Sequence, residues 1–289
     1  FYSCLYRSVL FPRDLSEINA DGERVHYSPY DGAVHKGYLF GDTGFWDTFR
    51  CLFPLLNLVY PDENVKMQEG LVNTWKESGF LPEWSSPGHR GCMVGNNSAS
   101  VVADAWIKGL RGYDADELWK AVTHGAHAVH PEVSSTGRLG WEYYDSLGYV
   151  PCNVGINENA ARTLEYSYDD WCIYQFGKAL ANAEEDAFLN GDGKGKPMGV
   201  FDTTNGGQYN TTTSTANISA DDIINLVYTL KRPYRKSAAF ITNDKTLASL
   251  RKLKDNNGAY LWQPALTAGE PDRLFGYAIH TSQFAPEAA

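Results

Sequence analysis

The sequence predicts a mixed fold: an all-α N-terminal part and an α+β C-terminal part, joined through one long helix. Three observations carry that reading. Between Arg162 and Gly193, apolar side chains return at three- and four-residue spacing (Leu164, Tyr168, Trp171, Cys172, Phe176, Ala179, Ala183, Ala187), the mark of one buried helical stripe. Asn190 and Gly191 supply its stop. Composition changes inside this helix: all five cysteines, seven of the eight tryptophans and six of the seven histidines precede residue 181. Charge changes with it. Residues 1–180 carry 23 acidic and 14 basic groups, a net −9, whereas residues 181–289 carry 12 and 11, a net −1. Such a step suggests two origins meeting within the helix.

In the first part, HYSPYDG and GYLFGDTGFWDTFR read as loops and short strands that lead into a helix near Phe45. Helical patterns follow at Asp47–Val59, Asn64–Ser78, Ala99–Gly109 and Ala115–Val129, punctuated by Pro61, Gly79, Pro82 and Pro87. Helices joined by aromatic loops fit a helical toroid with a sugar pocket, and fit an ordinary helical bundle equally well. In the second part, FLNGDGKGKPMGVF is a Gly/Lys turn region without phosphate-loop spacing. Gln208–Ser219 reads as a polar, Thr-rich loop or exposed hairpin. Ser219 caps a helix that Pro233 interrupts, Ala238–Thr242 reads as a buried strand, and Asn243 caps the next helix. Asn257-Gly258 makes a turn, with short strands around Tyr260–Trp262 and Tyr277–Thr281.

The net charge of −10 argues against nucleic acid as a partner, since phosphate binding needs clustered Lys and Arg. No apolar run approaches the roughly 20 residues that span a bilayer, so no membrane partner is expected. The first residues show no secretory leader, and the chain reads as an excised piece, which leaves localisation unassigned. Five cysteines without C-x-x-C spacing suggest buried free thiols rather than a disulfide framework or a zinc site. His124, His127 and His130 lie three apart, a spacing that keeps neighbours on one helix face. Zinc helices more often use four-residue spacing with a nearby carboxylate, and Pro131 ends this helix at once, so no metal site is expected.

HYSPYDG, GYLFGDTGFWDTFRCLFPLL, MQEGLVNTWKESGFLPEWSSPG, CMVGNNSASVVADAWIKG and TLEYSYDDWCIYQFGKAL resemble successive blocks of glycoside hydrolase family 92, calcium-dependent inverting exo-α-mannosidases. The resemblance covers roughly residues 1–180 and implies part of an (α/α)6 toroid. It places Trp46 and Asp47 beside a terminal mannose as substrate-binding residues. An aromatic face for C–H groups and a carboxylate for hydroxyls suit that task. Read without the family, Trp46 is core and Asp47 a helix cap. Asp169 and Asp170 invite a catalytic reading as paired carboxylates, but within their block they look structural. The family's general acid, general base and main calcium ligands lie in motifs beyond the D-D-W helix, and none of those motifs is found here. Inverting hydrolysis needs two carboxylates flanking the sugar, so the resemblance implies no complete catalytic site and no bound cofactor.

ANAEEDAFLNGDGKGKPMGVF, ADDIINLVYTLKRPYRKSAAFITNDKTLASLRKLKDNNGAYLWQP and AGEPDRLFGYAIHTSQFAP resemble a tailed-phage major capsid protein of the Hong Kong 97 type, over residues 181–289. That resemblance implies a capsid-type α+β domain and self-association. Three readings compete: a chimera of both fragments, an α-mannosidase acting on terminal mannose, and a phage shell protein. The chimera accounts for the composition step, for the absent hydrolase motifs, and for the N-terminal arm, extended loop and final strand segment that the capsid resemblance implies and that are not found here.

Overall fold

The computed structural model describes residues 1–207, 218–255, 257–260, 262 and 272–287. The chain forms two compact units, Phe1–Leu180 and Ala181–Ala289.

The first unit opens with α1 (Tyr2–Ser8) and a series of short strands: β1 (Arg13–Asp14), β2 (Ser16–Ile18), β3 (Arg24–Tyr27), β4 (Val34–Lys36), β5 (Phe40–Gly41) and β6 (Thr43–Gly44). β2, β3 and β4 make a small antiparallel sheet with β3 in the middle, and β1 pairs with β5. Helices then dominate: α2 (Phe45–Thr48), α3 (Leu52–Val59) and α4 (Pro61–Ser78), then strand β7 (Trp84–Ser85) paired with β6. α5 (Ser98–Ile107), α6 (Ala115–Ala126), α7 (Trp141–Leu147) and α8 (Asn159–Asn190) complete the series.

Local chemistry sets the helix ends. α4 begins on Pro61, whose missing N–H is unneeded in a first turn, and Asp62 and Glu63 face the positive end of its dipole. It stops at Gly79, held left-handed at φ 76°. α6 starts where the Asp114 side chain accepts the Glu117 amide. The buried His26 bonds both Gly37 O and Glu77, tying β3 to α4. The core packs Phe45, Phe53, Leu71, Val102, Leu118 and Phe176 from α2 to α6 and α8. Leu118 is fully buried, so Leu118→Ala should destabilise this unit by about 2–5 kcal/mol. A lower urea midpoint with an unchanged slope would register it.

α8 buries part of the face the sequence predicts: Cys172 and Phe176 lie inside, but the N-terminal half of the stripe does not. Arg162, Tyr166, Asp169, Cys172 and Phe176 are buried, whereas Leu164 and Trp171 are 74% and 57% exposed. The inward face is chosen by polar partners as well as by apolar ones: Asp169 accepts a backbone amide, and Tyr166 lies against the Arg138 guanidinium. Apolar spacing alone finds Cys172 and Phe176 but misplaces the stripe at Leu164, Tyr168 and Trp171. The cysteines also depart from expectation. All five are free, but only Cys172 is buried.

Within the second unit, α9 (Ala220–Thr229) starts from a capping box in which the Ser219 and Asp222 side chains satisfy each other's backbone amides. α10 (Arg232–Arg235) carries Pro233 in its first turn. β8 (Ala239–Thr242), α11 (Asp244–Arg251), β9 (Arg273–Leu274) and β10 (Tyr277–Thr281) follow. Asn243 caps α11 through the Lys245 amide. The sheet order is β8-β10-β9, with β8 parallel and β9 antiparallel to β10. β8 was expected to be buried. It is an edge strand with Ala239 and Ile241 exposed, because β10 takes the middle position. Ile223, Leu250, Trp262, Leu274 and Ile279 form the core. Lys254 bridges to Tyr260 across the turn at Gly258. The Thr-rich stretch lies outside the described residues over positions 208–217, as does position 261.

Candidate functional site

Trp46 and Asp47 sit together on α2, a single turn. Backbone geometry fixes it there. The Phe45 amide donates to Glu83 O, and a Cβ on Gly44 would collide with the Trp84 indole. Gly44, not Asp47, occupies the cap position, and the Asp47 carboxylate is exposed. Trp46 is half-buried, not core. Its indole Nε1 donates to Glu165 Oε1 on α8 at 2.8 Å. The Arg50 guanidinium lies over the Trp46 ring at 4.4 Å and over Phe49 at 4.3 Å, pairs with Glu165 at 3.3 Å, and donates to Trp46 O. Phe49 in turn stacks on Tyr168 at 5.2 Å.

Beneath lies a second group that the sequence reading did not single out. Glu83 is fully buried, and its carboxylate accepts from the Asn97 amide at 2.8 Å, Ser98 Oγ at 3.1 Å and Asn96 Nδ2 at 3.4 Å. Asp169, also fully buried, accepts the Asn96 amide at 2.7 Å. Both carboxylates therefore face the N-terminal end of α5, where unpaired amides and the helix dipole favour anions. Burial still pushes both acids up. Asp169 rises to about 7, held back by Arg138 and the Asn96 amide. Glu83 is raised by burial and then by the charge of Asp169, more than its hydrogen bonds lower it.

Asp170 faces elsewhere. It pairs with the buried Arg138 at 2.6 Å and accepts from Tyr144 Oη at 3.0 Å. The two adjacent aspartates thus do separate work, one at the start of α5 and one on Arg138, and neither is an exposed acid–base partner of the other. Among the described residues, Asp169 Oδ1, Asn96 Oδ1, Asn97 Oδ1 and two nitrogens of Arg138 are buried without a hydrogen bond.

The three histidines of the THGAHAVHP stretch diverge. His127 pairs with Asp145 at 3.0 Å, whereas His124 and His130 both pack on Phe80. His130 also lies against His89, whose pKa burial lowers to about 4. Among the described residues, no three His, Cys, Asp or Glu side chains converge to hold a metal. The buried Glu83 and Asp169 carboxylates each accept a backbone amide. Among the described residues, no helix is long and apolar enough to cross a membrane.

The family model for the glycosyl hydrolase family 92 catalytic domain matches residues 1–194. The chain belongs to this family. A second model, the phage capsid family, matches residues 158–289, so the chain carries a family 92 region followed by a capsid-family region. The two ranges overlap across α8. An inverting mannosidase of family GH92 from Bacteroides thetaiotaomicron is 53% identical, with a TM-score of 0.61 over 63% of this chain and 24% of that one. An uncharacterized secreted glycosidase from Arthroderma benhamiae is 28% identical over 197 residues, which are 65% of this chain and 21% of the relative. A capsid chain of a GTA particle is 35% identical over 42% of this chain and 46% of its own length, with a TM-score of 0.36. The chain spans about a quarter or less of the length of the two glycosidase relatives.

Proposed function

We propose that this chain is a join of two family fragments with no complete active site, and that its first unit keeps only a weak mannose-type contact at Trp46 and Asp47. One observation carries the reading: the family assignment changes from hydrolase to capsid within the range of α8. A join made in phase within one helix preserves its periodicity. In this reading the helices of the first unit are part of an (α/α)6 toroid, with α8 shared by both parts. An exposed carboxylate beside a half-buried indole supports the sugar contact. Glu83 and Asp169 lie too deep and are too firmly bonded to backbone amides to serve as acid and base. Without a second carboxylate across the sugar, neither leaving-group protonation nor water activation is supplied.

Purified chain should release no mannose from 4-nitrophenyl α-mannoside, with or without added calcium. Release that a chelator abolishes, and that persists through further purification, would overturn the reading. Binding of methyl α-mannoside should be millimolar or weaker, on the order of −4 kcal/mol, because a partial pocket is poorly preorganised. Micromolar binding lost in Asp47→Ala would mean a far more complete site. The capsid-family part supports a self-association reading, which sedimentation of the whole chain tests. Closed uniform particles would favour a shell protein.

A further inference from the structure

We propose that Glu165 is the positioning residue of the Trp46 contact: its carboxylate holds the indole, through Nε1 and through Arg50, in the one orientation that leaves a single ring face for a sugar. This rests on the sugar-contact reading above and names the group that orients it. Trp46 and Glu165 lie 119 residues apart, and their 2.8 Å hydrogen bond joins α2 to α8. α2 is only four residues long, so its own backbone bonds cannot fix a large side chain. Glu165 can, because it stands on a long helix and its side chain is only 18% exposed.

The approach of the chain to Glu165 is itself constrained. Gly95 adopts φ +101°, and a Cβ there would meet Glu165 Cβ at 3.1 Å as well as the Asn97 amide group. A side chain at position 95 would therefore displace Glu165. The same carboxylate oxygen takes Arg50 Nη2, and Arg50 covers one face of Trp46 while its other side rests on Phe49. Phe49 is anchored on Tyr168, three residues along α8 from Glu165. The ladder closes at both ends on one helix. With one indole face taken by the guanidinium, a pyranose that stacks on this ring must use the other. A ring free to rotate would lose that preorganisation.

The test uses the full chain labelled with 15N-tryptophan, the other seven indoles serving as internal controls and Trp46→Phe assigning the resonance. Glu165→Ala should move the Trp46 indole N–H resonance and speed its exchange with water at least about tenfold, leaving the other indoles in place, because a buried hydrogen bond becomes a solvent contact. Glu165→Gln keeps an acceptor oxygen and should restore both. Titration with methyl α-mannoside should show weaker binding in Glu165→Ala, by about fivefold or more, and near-normal binding in Glu165→Gln. An unchanged indole resonance and exchange rate in Glu165→Ala overturns the positioning role, whatever the sugar does. A wild-type chain that shows no response to the sugar overturns the sugar-contact reading, while the indole still decides on Glu165. Should Glu165→Ala fail to fold, Glu165→Met, which keeps the side chain's length but has no acceptor oxygen, decides: an unchanged Trp46 indole resonance and exchange rate there overturns the role.

Discussion

Asp169→Asn should stabilise the first unit at pH 8 by up to about 4 kcal/mol and leave its stability at pH 4 nearly unchanged. Burial raises the folded Asp169 carboxyl from 3.8 to about 7. Between those values the folded unit keeps a proton that the unfolded chain has released. Stability therefore falls as pH rises through this window, by about 1.4 kcal/mol per pH unit, and levels off above it. Asn has the shape of the protonated acid, and its oxygen can accept the Asn96 amide as Asp169 Oδ2 does. The wild-type curve alone would hide the effect. His89, lowered to about 4 by burial, is neutral when folded and charges on unfolding below about 6.5, so it contributes a slope of the opposite sign. The observable is the difference between variant and wild type, in which His89 cancels. Glu117 is half-buried and lowered by Lys120 and then by the Trp75 indole, so it acts only below about pH 4.5. Urea denaturation from pH 4 to pH 9 measures the difference directly. A constant difference across that range would mean that Asp169 stays ionised in the folded unit.

How much of this was legible in the sequence depends on what kind of force sets each feature. Helices bounded by local chemistry were readable: Asn243, Ser219 and Gly79 cap or stop helices as their neighbours require. The composition step near residue 180 coincides with the boundary between compact units. The inward face of α8 was readable at Cys172 and Phe176 but not along its N-terminal half. It turns on Tyr166 meeting Arg138 and Asp169 meeting Asn96, partners 28 and 73 residues away in sequence, and periodicity carries no information on such pairs. β8 misled for a related reason. AAFIT has the residues of a central strand, but position in a sheet is set by which strand arrives between the others. Trp46 and Asp47 were singled out only through the family blocks, since half-burial of an indole leaves no local mark. Glu83 and Glu165 lay within quoted blocks, yet nothing in LPEWSSPG or TLEYSYDDW separates a buried acid from a surface one.

The second large effect concerns Glu83, and its size should depend on Asp169. Glu83→Ala removes the acceptor for the Asn97 amide and Ser98 Oγ and weakens the seat of Asn96, all within a fully buried region. Each orphaned buried donor costs about 1–3 kcal/mol, and a cavity term adds to it. We expect a loss of about 3–5 kcal/mol at pH 5, where Asp169 carries its proton. At pH 8 the loss should be smaller. Asp169 is then ionised, its charge is what further raises Glu83, and deleting Glu83 relieves that conflict. In the Asp169→Asn background only the share due to burial of Glu83 remains, so the difference between the two pH values should shrink. The double-mutant cycle at pH 8 should therefore give a coupling of about 0.5–3 kcal/mol, shrinking toward zero at pH 5. A coupling equal at the two pH values would assign the link between these residues to packing and remove the electrostatic account. If it vanishes at pH 5, the two carboxylates at the start of α5 are mutually exclusive charges, each stabilised by backbone amides and each limited by the other.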